Sequence, residues 1–174
     1  MERYAAFLRG ININGKNKIA MSELKECFEE MGFTNVKTYL NSGNVTFSTD
    51  KDDIRASIEK KVSESFGLDI HVYVIKSEEI EDILSHSPEW WGTEDKNTYD
   101  NLIFILSSDT AEDVCSMIGE PSEGLERIQI YKNIIYWTFD RKIYSKCSWW
   151  KRTASAGIAE RLTIRTANTL KKMC

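Results

Sequence analysis

Apolar residues recur along this chain with two periods, near 3.6 and near 2, and the switches between them mark its elements. Tyr4–Leu8 is a short apolar run stopped by Arg9-Gly10, which predicts a buried strand. Met21, Leu24, Cys27, Phe28 and Met31 then fall at helical spacing. Gly32 supplies the left-handed stop, and Phe33 is placed to fold back on the last turn. Val36–Leu40 and Val45–Ser48 read as strands around Asn41-Ser42-Gly43-Asn44, a tetrad whose Gly and Asn tolerate positive φ. A second helix is predicted from near Asp52 to Phe66. Ile54, Ile58, Val62 and Phe66 form its stripe, acids lie in its first turn, and Gly67 ends it. Asp69–Ile75 alternates, with Ile70, Val72 and Val74 on one face, as a half-buried strand does.

That order is βαββαβ, the ferredoxin-like arrangement of a four-stranded antiparallel sheet with two helices on one face. A short helix follows over 77–86, with Ser77 as its expected N-cap and Ser87-Pro88 closing it. After a polar loop carrying Trp90 and Trp91, the first pattern returns. Leu102–Leu106 predicts a strand, and Ala111, Val114, Cys115 and Ile118 a helix ending at Gly119. Ile128–Tyr131 and Ile134–Phe139 form a hairpin around Lys132-Asn133, and helical patterns occupy roughly 154–173. The expected fold is therefore α+β and tandem ferredoxin-like, a βαββαβ unit over 1–76 followed by a related βαββα unit over 77–174. No final strand is expected in the second unit.

Composition narrows the class without naming an activity. Hydrophobic residues at 41% and charged ones at 29% suit a globular chain. The apolar start is broken at Arg9, and no run approaches membrane-spanning length, so a cytoplasmic protein with no membrane partner is expected. Cys27, Cys115, Cys147 and Cys174 are scattered without a Cys-x-x-Cys pair. With only His71 and His86 besides, neither a metal site nor a cofactor is expected. The net charge of −4 hides an asymmetry: residues 140–174 carry nine Lys/Arg against two Asp/Glu. Such a tail either meets an anionic partner or docks on the acidic body.

The candidate chemistry lies first in the loop at 9–17, Arg-Gly-Ile-Asn-Ile-Asn-Gly-Lys-Asn. It leaves a strand and leads toward a helix, where backbone N–H groups can converge on an anion. Arg9 and Lys16 supply charge, while Asn12, Asn14 and Asn17 donate and accept. The loop lacks both the P-loop and the Rossmann glycine patterns. The hairpin tip at 41–44 is expected at the opposite end of the sheet, outside this site. Arg165 and Thr169, four apart on one face of an expected last helix, are added as ligand candidates. In the tail, Trp149-Trp150-Lys151-Arg152 interleaves aromatics with cations, as stacking on bases and contact with phosphate require. No Gly-x-Ser-x-Gly or His-Glu-x-x-His set is present, and whether the chain is an enzyme is left open.

Three segments carry a family resemblance. The 9–17 loop is similar to the Arg-Gly-Ile-Asn-Val-Gly-Gly-Lys-Asn that typically opens the bacterial domain of unknown function 1697 family. Asn41–Phe47 resembles its Ser-Gly-Asn-Val hairpin, and Leu162–Thr169 its Thr-x-Arg-Asn-Trp-x-Thr segment. The chain departs at Ile13-Asn14, where the family has Val-Gly, and at Thr166-Ala167, where it has Asn-Trp. The resemblance implies a tandem ferredoxin-like fold and a cytoplasmic setting, and no activity. The leading expectation is a protein that binds a phosphorylated or otherwise anionic small ligand at the first loop. Nucleic-acid binding through 141–172 and a non-catalytic protein-interaction module are the alternatives.

Overall fold

The computed structural model describes residues 1–174. The chain divides into two compact units, one of Met1–Glu81 with Lys172–Cys174, the other of Asp82–Lys171. Each unit holds one four-stranded sheet in which every neighbouring pair is antiparallel.

In the first unit the order is β1 (Glu2–Leu8), α1 (Met21–Glu30), β2 (Thr34–Tyr39), β3 (Asn44–Thr49), α2 (Ile54–Phe66) and β4 (Val72–Lys76). The strands lie side by side as β2-β3-β1-β4. Ala6 and Leu8 of β1 and Val45 and Phe47 of β3 share one core with Leu24 and Phe28 of α1 and Ile58 and Val62 of α2. Both helices therefore cover the same face. Phe33 does fold back: its ring stacks on Phe47 at 4.7 Å and meets Phe28 edge-on at 5.9 Å. Gly67 closes α2 in the left-handed region, as its lack of a Cβ allows. The other end of α2 differs from expectation. The helix begins at Ile54, so Asp52 and Asp53 precede it, and Asp53 makes no side-chain cap.

In the second unit α3 (Ser77–Ser85), whose first turn belongs to the first unit, leads into β5 (Thr98–Ile105) and α4 (Ala111–Ile118). The chain continues through β6 (Glu126–Tyr131), β7 (Ile134–Asp140), a 3-10 segment at Arg141–Lys146 and α5 (Ser148–Thr153). It then forms a 3-10 turn at Ala159–Arg161, β8 (Leu162–Thr166) and α6 (Ala167–Lys172). The sheet order is β6-β7-β5-β8. Thr110 and Asp113 form a reciprocal capping box that fixes the start of α4. Trp149, fully buried, packs with Trp137, Ile103 and Val114.

The second unit corrects one expectation. Residues 154–173 are helical only at Ala159–Arg161 and Ala167–Lys172, and the unit does not end as βαββα. Leu162–Thr166 is a strand paired with β5 over Asn101↔Thr166 to Ile105↔Leu162, which completes the sheet. Leu162 and Ile164 face the helices, while Thr163 and Arg165 are buried on the other face. β-Branched Thr and Ile favour such a strand. Its apolar and polar residues alternate with period two, and the polar positions Thr163 and Arg165 are buried as well.

Candidate functional site

The loop after β1 is a small structure of its own. Asn12, Asn14 and Asn17 adopt left-handed φ values of 54, 52 and 51°, and Gly10 and Gly15 are left-handed as well. The Asn12 amide nitrogen donates to the carbonyl oxygens of Ile19 (2.9 Å) and Asn41 (2.7 Å), and its oxygen accepts from the Ile19 N–H. Asn17 donates to the Gly10 carbonyl at 2.9 Å. Two of the expected ligand groups are therefore committed to holding the loop. Arg9 is half-buried, and its N–H is bonded to the His71 carbonyl. Asn14, Lys16 and Lys18 are exposed.

The hairpin tip is not remote from this loop. Because β1 and β3 are antiparallel with Phe7 opposite Asn44, the exit of β1 and the start of β3 lie at the same end. The Leu8 N–H donates to the Gly43 carbonyl at 2.9 Å. A Cβ on Gly43 would come within 2.8 Å of Leu8 and 2.9 Å of Ile11, so only glycine fits there. Asn44 is fully buried and donates to the Tyr39 carbonyl and the Ser42 hydroxyl. The two motifs form one packed corner.

Arg165 and Thr169 do not share a helix face. Arg165 sits on β8, opposite Leu102, and its guanidinium donates to the Thr163 hydroxyl (2.9 Å) and the Ile164 carbonyl (3.0 Å). Burial pushes its pKa down to about 10. Thr169 lies on α6, and its hydroxyl meets that of Thr166 at 3.1 Å. Both belong to the second unit, whereas residues 9–17 belong to the first.

The stronger concentration of binding chemistry surrounds the start of β5 and the end of β7. Tyr99 stacks on Phe139 at 5.5 Å, Phe139 meets Trp150 edge-on at 5.7 Å, and Trp150 meets Tyr144 edge-on at 5.0 Å. Arg141 lies over the Tyr99 ring at 4.6 Å, held there by a hydrogen bond from Nε to the Thr98 carbonyl. These five residues line a cavity of about 200 Å³. Trp150 and Tyr144 leave 41% and 47% of their surface open to solvent, an unusual exposure for a clustered aromatic pair. Tyr99 and Arg141 also form one wall of an adjoining cleft of about 540 Å³, bounded by the 92–96 loop and Thr166–Asn168. Lys96 and Asn168 are exposed in that cleft. Asp100, also in its wall, already accepts from Thr138 Oγ1 (2.5 Å) and the Gly92 N–H (3.0 Å).

Against this geometry the comparisons with known proteins are clear about kinship. The family model described as "Protein of unknown function (DUF1697)" matches residues 1–136. The chain belongs to the DUF1697 family. A solved structure, that of the conserved bacterial protein SP0830 from Streptococcus pneumoniae, is similar with a TM-score of 0.82 at 26% identity. The match covers 99% of this chain and 96% of that one. No curated protein matches the chain.

Two of the segments that resemble DUF1697, at 9–17 and 41–47, fall inside the matched range and form the packed corner described above. The third, at 162–169, falls outside it and spans β8 and the start of α6. The sequence singled out Trp150 but not Tyr99, Phe139, Arg141 or Tyr144. Tyr99 read there as part of the polar loop before Leu102 and Phe139 as the end of a strand, and only the earlier start of β5 and its pairing with β7 set them side by side. The other loop tryptophans offer no surface patch. Trp91 is buried and donates to the Asn101 carbonyl at 2.7 Å, and Trp90 is half-buried. Burial raises the Cys115 and Cys147 thiols to about 11, which keeps both protonated near neutral pH. No helix is long and apolar enough to cross a membrane.

Proposed function

We propose that this DUF1697 chain is a binding protein whose second unit takes a ligand joining an aromatic base to a phosphate, the chemistry of a nucleotide. One observation carries the reading: Tyr99, Phe139, Tyr144 and Trp150 form an aromatic cluster in which Tyr144 and Trp150 are open to solvent, and the Arg141 guanidinium lies over its Tyr99 ring. Stacking on such rings contributes roughly 1–3 kcal/mol per base and accepts any base. Of the Arg141 guanidinium, Nε donates to the Thr98 carbonyl, and its terminal nitrogens are the groups that would take a phosphate at the wider cleft that Arg141 lines. The anionic ligand expected from the sequence is kept, and its place moves from the first loop to this surface. Residues 9–17 are read as a structural crossover, because Asn12 and Asn17 hold the loop itself.

The same chemistry occurs in a free nucleotide and in a single strand of nucleic acid. Lys142, Lys146 and Lys151 are exposed in the same segment, which suits a strand longer than one nucleotide. The βαββαβ order and the matching strand order in each unit support reading both units as ferredoxin-like. Four free cysteines suit a reducing, cytoplasmic setting.

A thermal-shift series with mononucleotides, inorganic phosphate and short single-stranded oligonucleotides tests the reading on wild type, Arg141→Ala and Arg9→Ala. Stabilisation by nucleotide or oligonucleotide that is lost in Arg141→Ala and kept in Arg9→Ala is the expected result. Stabilisation lost in Arg9→Ala alone returns the site to the first loop. Oligonucleotide binding that exceeds mononucleotide binding and weakens steeply with salt identifies the strand as the source.

A further inference from the structure

The two units build the same cleft at the same place. In each, the first strand begins before its pairing with the last strand: β1 starts at Glu2 and first meets β4 at Tyr4↔Lys76, and β5 starts at Thr98 and first meets β8 at Asn101↔Thr166. The overhanging residues stand beside the point where the last strand turns into a helix. In the second unit this is the 540 Å³ cleft at Thr98–Asp100 and Thr166–Asn168. In the first unit it is a cleft of about 210 Å³ lined by Glu2, Arg3, Lys76, Ser77 and Glu78.

Ser77 is the anomaly in the smaller cleft. It opens α3, a helix of nine residues, and is only 7% exposed. Its hydroxyl, expected to cap the helix, makes no hydrogen bond, and no other buried side-chain polar atom is left so. A buried hydroxyl without a partner is destabilising, so an acceptor brought by a ligand would recover that loss. The surroundings favour a negative acceptor. The first turn of α3 presents N–H groups that have no partner within the helix, and its dipole places positive charge there. Arg3 is exposed, and one of its nitrogens reaches the Cys174 carbonyl at 3.4 Å. Two carboxylates share the cleft. Glu2 is engaged by the Tyr4 hydroxyl (2.7 Å) and the Lys76 ammonium (3.0 Å), which hold it below the usual carboxylate range. Glu78 is exposed and opposes an anion only from the rim.

We infer that the cleft at the β4–α3 junction binds a small oxyanion of the phosphate class, with the Ser77 hydroxyl and the Arg3 guanidinium as donors. The inference does not depend on the nucleotide reading, because it concerns the other unit. The equivalent of Ser77 in the second unit is Ala167, which has no hydroxyl to offer, so the two clefts do not share this chemistry.

The test is thermal unfolding in inorganic phosphate against chloride at equal ionic strength, on wild type, Ser77→Ala, Arg3→Ala and Glu78→Gln. Without phosphate, Ser77→Ala unfolds at or above the wild-type temperature, since the unmet hydroxyl is gone. Phosphate raises the wild-type Tm, and that rise is lost in Ser77→Ala and Arg3→Ala. In Glu78→Gln the phosphate affinity increases by roughly two- to fivefold as the opposing charge is removed. No phosphate-specific rise in wild type, or an equal rise in Ser77→Ala and Arg3→Ala, overturns the inference.

Discussion

Asn12 joins three parts of the first unit through one side chain: its own loop, the Ile19 backbone and the hairpin tip at Asn41. A typical hydrogen bond contributes about 1 kcal/mol net, and part of this side chain is exposed. Asn12→Ala should therefore lower stability by about 2 kcal/mol in chemical denaturation. Lys16→Ala, at an exposed position of the same loop, should stay within about 0.5 kcal/mol of wild type. Equal costs for the two would mean that the loop is not held as described. The residue types in this loop were legible in the sequence, and so was its importance. Its role was not, because asparagine serves equally well as a ligand group and as a backbone clamp. Only the acceptors at Ile19 and Asn41 separate the two.

Elements with a clean period were read correctly from the chain, and those with two plausible periods were not. The stripe of α1, the Gly67 stop of α2 and the Lys132-Asn133 hairpin all appear where the pattern placed them. β8 was missed because Arg161, Arg165 and Thr169 recur at helical spacing, while Leu162–Thr166 also alternates with period two. Pairing with β5 decides between the readings, and pairing partners are distant in sequence. The same holds for the join between α3 and the β6–β7 hairpin. Asp82 on α3 accepts from Lys132 Nζ (2.6 Å) and the Tyr131 hydroxyl (3.0 Å), while the His86 ring stacks on Tyr131 at 4.8 Å. The Lys132 and Tyr131 hydrogen bonds hold the Asp82 carboxyl below its ordinary value of 3.8. A carboxyl depressed in the folded state contributes stability above its unfolded pKa, and that contribution is lost as pH falls through the folded one. Asp82→Asn should therefore flatten part of the acid limb of stability below pH about 4, measured by denaturation across pH. An acid limb of unchanged slope would remove Asp82 from that account.

Across the whole chain, the basic tail divides between the two fates open to it. Arg161 pairs with Asp109, Lys171 with Glu94, and Arg152 reaches the Ile118 carbonyl, so part of the charge docks on the second unit. Lys142, Lys146 and Lys151 remain exposed around the segment that carries Tyr144 and Trp150. That remainder, together with Arg141 over Tyr99, gives the molecule a surface that is cationic and aromatic at once. An overall charge of −4 concealed it. The most direct test of a nucleotide site there is an NMR titration of the full chain with a mononucleotide, following backbone amides and the tryptophan indole N–H signals. The account predicts shifts at Trp150, Tyr144, Arg141 and Tyr99, with residues 9–17 unmoved. Shifts confined to residues 9–17, or none at Trp150 and Arg141 at saturating ligand, would contradict it.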